Sequence, residues 1–93
     1  MSKVSLPREE EEKFVAAAKL SPEGFAPLYQ HYLPHIRRFF AVSIFDGADI
    51  DDLTARTFEK ALKNIDSFEW RGFPFSAWLY RIAANLRADY VRG

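Results

Sequence analysis

The chain has 93 residues, no cysteine, and 13 basic against 13 acidic side chains. That is the length of one small domain; a disulfide framework and a thiolate metal site are excluded, and no apolar run approaches the roughly 20 residues of a membrane span. A 48% hydrophobic, 16% aromatic composition can bury enough surface to offset its ordering entropy, which excludes disorder, while zero net charge argues against a protein that holds nucleic acid mainly by nonspecific phosphate attraction.

Four helices are expected from periodicity and stop signals, as a compact all-α bundle. The first runs from about Pro7 to Lys19, with Pro7 at the first helical position and the run Glu9 to Glu12 as a solvated, dipole-matched first turn. The second opens at Ser21-Pro22-Glu23, a capping residue followed by proline. It carries Phe25, Leu28, Tyr29, Tyr32, Ile36, Phe39 and Phe40 at spacings of three and four, which makes one wide apolar face. Pro34 should kink it, and it should end near Ser43, ahead of the turn signal Asp46-Gly47. The third helix is expected from Asp49 or Ile50 to Asn64, with Asp49 as its cap. Ile50, Leu53, Thr54, Thr57, Phe58, Ala61, Leu62 and Ile65 fill its inner half, opposite a charged stripe of Asp52, Arg56, Glu59 and Lys63.

Residues 66–74 read Asp-Ser-Phe-Glu-Trp-Arg-Gly-Phe-Pro. Glycine and proline make this a loop, yet Phe68, Trp70 and Phe73 crowd it with rings where a solvated connector would be polar. The last helix follows, from about Pro74 to Arg92. Phe75, Leu79, Ile82, Leu86 and Tyr90 form its expected core face, and Trp78, Arg81, Asn85 and Arg92 share one edge away from it. Residues 67–93 hold four arginines against two acids, whereas residues 1–66 hold 9 basic and 11 acidic side chains. A nucleic-acid partner should therefore be met by the C-terminal quarter.

An aromatic loop beside an Arg, Asn and Trp edge has the chemistry of single-strand binding. Unstacked bases need flat partners, each worth about 1–3 kcal/mol, arginines neutralise phosphates, and an asparagine amide can pair with base edges. The plainer alternative is that Phe68, Trp70, Phe73 and Trp78 cover the core. Two further clusters are weaker. His31 and His35 stand four apart, a zinc spacing, but no third ligand accompanies them. Asp46, Asp49, Asp51 and Asp52 lack the alternating pattern and closing glutamate of a calcium loop. Neither a nucleophile paired with a base nor a glycine-rich phosphate loop is visible, so no enzyme, metal or cofactor is expected.

The stretch Asp49-Ile50-Asp51-Asp52-Leu53-Thr54-Ala55-Arg56-Thr57-Phe58 resembles conserved region two of the extracytoplasmic-function sigma factors of bacterial RNA polymerase. So do the run from Trp70-Arg71-Gly72-Phe73-Pro74 through Ala77-Trp78-Leu79-Tyr80-Arg81-Ile82-Ala83-Ala84-Asn85, the following Asp89-Tyr90 and Arg92, and the upstream Pro22-Glu23-Gly24-Phe25 with Leu28, Tyr29 and Tyr32. The resemblance covers about Phe14 to Arg92. It implies a cytoplasmic bacterial protein without catalytic activity. Its third helix would dock on the clamp helices of the polymerase's largest subunit through Asp52, Ala55, Arg56 and Glu59. The residues from Phe68 to Phe73, with Trp70 and Arg71 among them, would capture a base flipped from the non-template strand of the promoter's −10 element, and Trp78, Arg81, Asn85 and Arg92 would approach the same strand. An anti-sigma factor is a further partner that the resemblance implies.

Two departures accompany it. Many members carry Gln and an acidic residue where Ala55 and Arg56 stand, so a hydrogen-bonding amide is lost and a charge reversed. The family's second domain, a helix-turn-helix that reads the −35 element, is absent from residues 1–93, so the chain is expected to be one region-two domain cut from a longer protein. A second reading, favoured by Arg56, is a sigma-like helical module that binds polymerase or a regulator without reading DNA. The charged pairs Asp52–Arg56 and Glu59–Lys63, each four apart, are also expected to pair locally.

Overall fold

The computed structural model describes residues 4–93; among them are four α-helices and no strand. They are α1 (Arg8–Leu20), α2 (Ala26–Ala41), α3 (Gly47–Lys63) and α4 (Phe75–Arg92), with 3₁₀ turns at Pro22–Phe25 and Ile65–Ser67. The bundle expected from periodicity is the one formed. Its centre is α2, which packs against the other three helices and fully buries Leu28, Tyr32, Ile36 and Phe40. Each such side chain contributes about 1.5–3 kcal/mol relative to exposure.

Boundaries move where capping chemistry differs from the expectation. Pro7 is the cap of α1 rather than its first helical residue. Ser21 is extended, and its side chain makes no capping bond; the residues after it form the 3₁₀ turn, so α2 proper begins at Ala26. Asp46, not Asp49, caps α3: its Oδ1 accepts from the N–H of Ala48 at 2.8 Å and of Asp49 at 3.1 Å. The turn expected at Asp46-Gly47 falls instead at Val42 and Ser43, and Gly47 is the first residue of α3. Asp49 instead accepts the Tyr90 hydroxyl at 2.6 Å, tying the first turn of α3 to the last of α4. Pro34 sits inside α2 without ending it. It and Gln30 are both exposed, so the carbonyl that loses its helical partner faces solvent.

Gly24 carries the approach of the 3₁₀ turn to α1. A Cβ there would lie 2.2 Å from the Ala17 carbonyl oxygen, and backbone cannot yield as a flexible side chain can. Gly24→Ala is expected to lower the unfolding free energy by about 1–3 kcal/mol, read from the urea midpoint at unchanged slope.

The acidic run of α1 is only partly solvated. Glu9, Glu10 and Glu12 are exposed, but Glu11 is buried to 1% exposure. Its Oε2 accepts the Tyr32 hydroxyl of α2, and its Oε1 accepts the Phe75 N–H at 3.2 Å. That N–H is one of the orphan donors at the start of α4, so one carboxylate from α1 caps a helix 64 residues away in sequence. The Leu6 N–H donates to the same tyrosine oxygen at 3.2 Å. Burial first, and then the bond to Glu11, push the Tyr32 hydroxyl well above the ordinary tyrosine range.

Candidate nucleic-acid interface

The loop between α3 and α4 is built from the inside out. Phe68 is 2% exposed, with Trp70, Phe75 and Trp78 ring centroids at 4.9, 5.6 and 5.3 Å. It is a core residue from which the loop hangs. Phe73 is the opposite case, 68% exposed, next to Gly72 at φ +79°, a left-handed conformation that favours glycine.

Two hollows flank Trp78. The first, about 250 Å³, is lined by Phe68, Glu69, Phe73, Ala77, Trp78 and Arg81. The second, about 270 Å³, is lined by Lys60, Asn64, Ser67, Trp78, Ile82 and Asn85. Trp78 borders both, and the spacing of α4 sends Arg81 to one side and Asn85 to the other. Among the described residues neither Arg81 nor Lys60 joins an ion pair. Each hollow therefore combines an aromatic wall with an uncommitted cation, and the second adds two amides.

Four of the expected strand contacts thus come together around the loop: Phe68, Phe73, Trp78 and Arg81, with Asn85 reached across the Trp78 ring. The other three lie elsewhere. Trp70 lines neither hollow; its ring meets Phe68 edge-on, and the Arg8 guanidinium lies 4.1 Å from its centroid. Arg71 is committed to Glu69 at 2.6 Å. Arg92 pairs with Asp89 at the far end of α4. Lys60 and Asn64 are not among the residues expected at the site; they stand four apart, Lys60 in the last turn of α3 and Asn64 as its C-cap, on the line that leads into the loop.

A separate strip lies on the outer face of α3. Asp52, Ala55, Arg56 and Glu59 are all exposed, and Asp52 and Arg56 form an ion pair at 3.0 Å. Among the described residues Glu59 and Lys63 are not paired. A hollow of about 350 Å³ between α3 and α4 brings Asp52 and Arg56 together with Leu86 and Tyr90.

The two histidines have their ring centroids 5.5 Å apart, and His31 Nε2 donates to the Val4 carbonyl at 2.7 Å. Among the described residues no group of three His, Asp or Glu side chains is placed to hold a metal ion. No described helix is long and apolar enough to cross a membrane.

The pattern of the family Sigma-70 region 2 matches residues 28–93, a span that takes in α3, the aromatic loop and α4. The chain belongs to the Sigma-70 region 2 family. Among relatives of this region 2 chain, the ECF RNA polymerase sigma factor BldN of Streptomyces coelicolor is 37% identical over 70 residues, covering 75% of the chain and 26% of BldN. The ECF RNA polymerase sigma factor EcfG of Rhodopseudomonas palustris is 49% identical over 55 residues, 57% of the chain and 30% of EcfG. The ECF RNA polymerase sigma factor SigW of Bacillus subtilis is 34% identical over 70 residues, 75% of the chain and 37% of SigW. The aligned part of this region 2 chain thus spans between about a quarter and a little over a third of those proteins. No solved structure matches it significantly.

Proposed function

We propose that the chain is the promoter −10 recognition and melting domain of a cytoplasmic bacterial sigma factor of the extracytoplasmic-function type. It docks on the clamp helices of core RNA polymerase through Asp52, Ala55, Arg56 and Glu59, and it holds the non-template strand with the loop and α4. The observation that carries the reading is the pair of hollows on either side of Trp78, each with an aromatic wall and a cation among its lining residues. Three relatives named as ECF RNA polymerase sigma factors support it.

The work done is capture, not catalysis. Flipping a base out of a duplex costs a few kcal/mol, which a fitting pocket offsets only for the right base. Phe73 and Trp78 supply the stacking surfaces, Arg81 and Lys60 the phosphate contacts, and the Asn85 amide a base-edge contact. Holding one strand single shifts the duplex toward the open bubble.

The test is binding of short single strands, selected from a random pool by the domain together with a polymerase fragment carrying the clamp helices. Sequence-dependent binding is expected, and Asn85→Ala should cost about 1–3 kcal/mol for the selected base. Polymerase binding with no strand preference would overturn strand reading and leave the interaction-module alternative. Asp52→Lys, which also breaks the pair with Arg56, is expected to reduce co-purification with the clamp-helix fragment at least tenfold. Stability should shift by less than about 1 kcal/mol, since the lost exposed i,i+4 pair and the new Lys–Arg repulsion each contribute no more than about 0.5 kcal/mol. Unchanged co-purification would move the docking surface off α3.

A further inference from the structure

The loop that forms the first hollow has almost no hydrogen bonds of its own. Among the described residues, Phe68 is the last in the loop to donate to another backbone group, to Ile65 at 3.1 Å, and the next such donor is Ala77 in α4. Segments so poorly paired normally open at little cost. What holds this one comes from α1, at three points along its length. Lys19 Nζ donates to the Phe68 carbonyl at 2.8 Å, at the start of the loop. In the middle, the Arg8 guanidinium, steered by Glu12 at 2.9 Å, covers the Trp70 ring at 4.1 Å. At the end, Glu11 takes the Phe75 N–H at 3.2 Å. The family match begins at residue 28, so this holding device lies outside the matched pattern.

We infer that α1 clamps the base-capture loop, and that Lys19 and Arg8 are positioning residues that set which base the first hollow accepts. The inference rests on the strand-capture reading above. A charge-assisted bond to the Phe68 carbonyl fixes the backbone from which Phe68 enters the core. The cation over Trp70 fixes the other arm of the same aromatic stack. With both released, Phe73 and the hollow it borders lose their anchor, and discrimination falls before affinity does, because the cations that contact phosphate are elsewhere, on Lys60 and Arg81.

The experiment uses the full chain and two readouts. Lys19→Met keeps the apolar stem and removes the donor; Arg8→Gln removes the charge over the ring. Hydrogen exchange of the Phe68 amide, the loop amide that is bonded to backbone, to Ile65 at 3.1 Å, is expected to speed up about tenfold in either variant, with α3 and α4 unchanged. Lys19→Arg should restore the parent's protection. On the selected strand and its three single-base variants at the captured position, the parent's preference is expected to shrink several-fold in Lys19→Met, while the salt dependence of binding stays the same.

Unchanged loop exchange in both variants would overturn the clamp. Faster exchange with preserved base preference would overturn its role in selectivity. A parent that protects the loop but shows no preference among strands would refute the strand-capture reading and this selectivity role with it, while the exchange data would still show whether α1 holds the loop.

Discussion

Phe68→Ala is expected to destabilise the protein by about 3–5 kcal/mol, the range for removing a fully buried phenyl ring from a packed core. The cause is the stack it anchors. Trp70, Phe75 and Trp78 all pack against this ring, and the cavity would leave each with no partner on one side. Five residues on, Phe73→Ala should change stability by less than about 0.5 kcal/mol, because the ring is already in solvent. It should weaken strand binding by about 1–3 kcal/mol instead. Urea unfolding and strand titration of the two variants measure both pairs of numbers. Comparable stability losses in the two would show that the loop's rings share one role rather than dividing core from contact.

Glu11→Ala carries the second large effect, about 3 kcal/mol. Truncation leaves the buried Tyr32 hydroxyl and the Phe75 N–H without their acceptor, and so strikes α1, α2 and α4 at once. In a domain of this size that corresponds to a fall of very roughly 12–24 °C in Tm. Glu11→Gln is expected to cost less, since its amide oxygen can still take the Phe75 N–H. A shift of only one or two degrees in Glu11→Ala, read by calorimetry, would mean that water replaces the carboxylate.

Much of this architecture is legible in the sequence, and the misses share causes. The apolar stripe of α2 was visible because large side chains recur at helical spacing, and Leu28, Tyr32, Ile36 and Phe40 are all buried as that spacing requires. On α4 the same logic gave Phe75, Leu79 and Leu86 correctly. It gave the core face to Ile82 and Tyr90 as well, yet Ile82 is half-buried and Tyr90 exposed, while Ser76 and Ala83 are buried. Hydrophobic patterns find large residues, whereas the seam where helices approach closely is made of small ones. Acidic neighbours on both sides make Glu11 look solvated in the sequence. The signal against that was positional: Glu11, Val15 and Ala18 are spaced four and three apart, and all three are buried. At the candidate site, residue types were informative but directions were not. Nothing in the spacing of Trp70 and Phe73 says that one ring turns toward α1 and the other toward solvent; that depends on Arg8, far away along the chain.

The placement of Trp78 has a geometric corollary. Neighbouring nucleotides in a helix lie face to face at a rise of about 3.4 Å per strand. A polymer that occupies both recesses must instead cross the edge of a single indole, which parts two adjacent bases and forces the sugar–phosphate chain between them to stretch. Paired, stacked DNA cannot make that separation without giving up its ladder. If the proposed strand capture holds, the partition would act as a filter for topology, admitting a polynucleotide only after its strands have come apart.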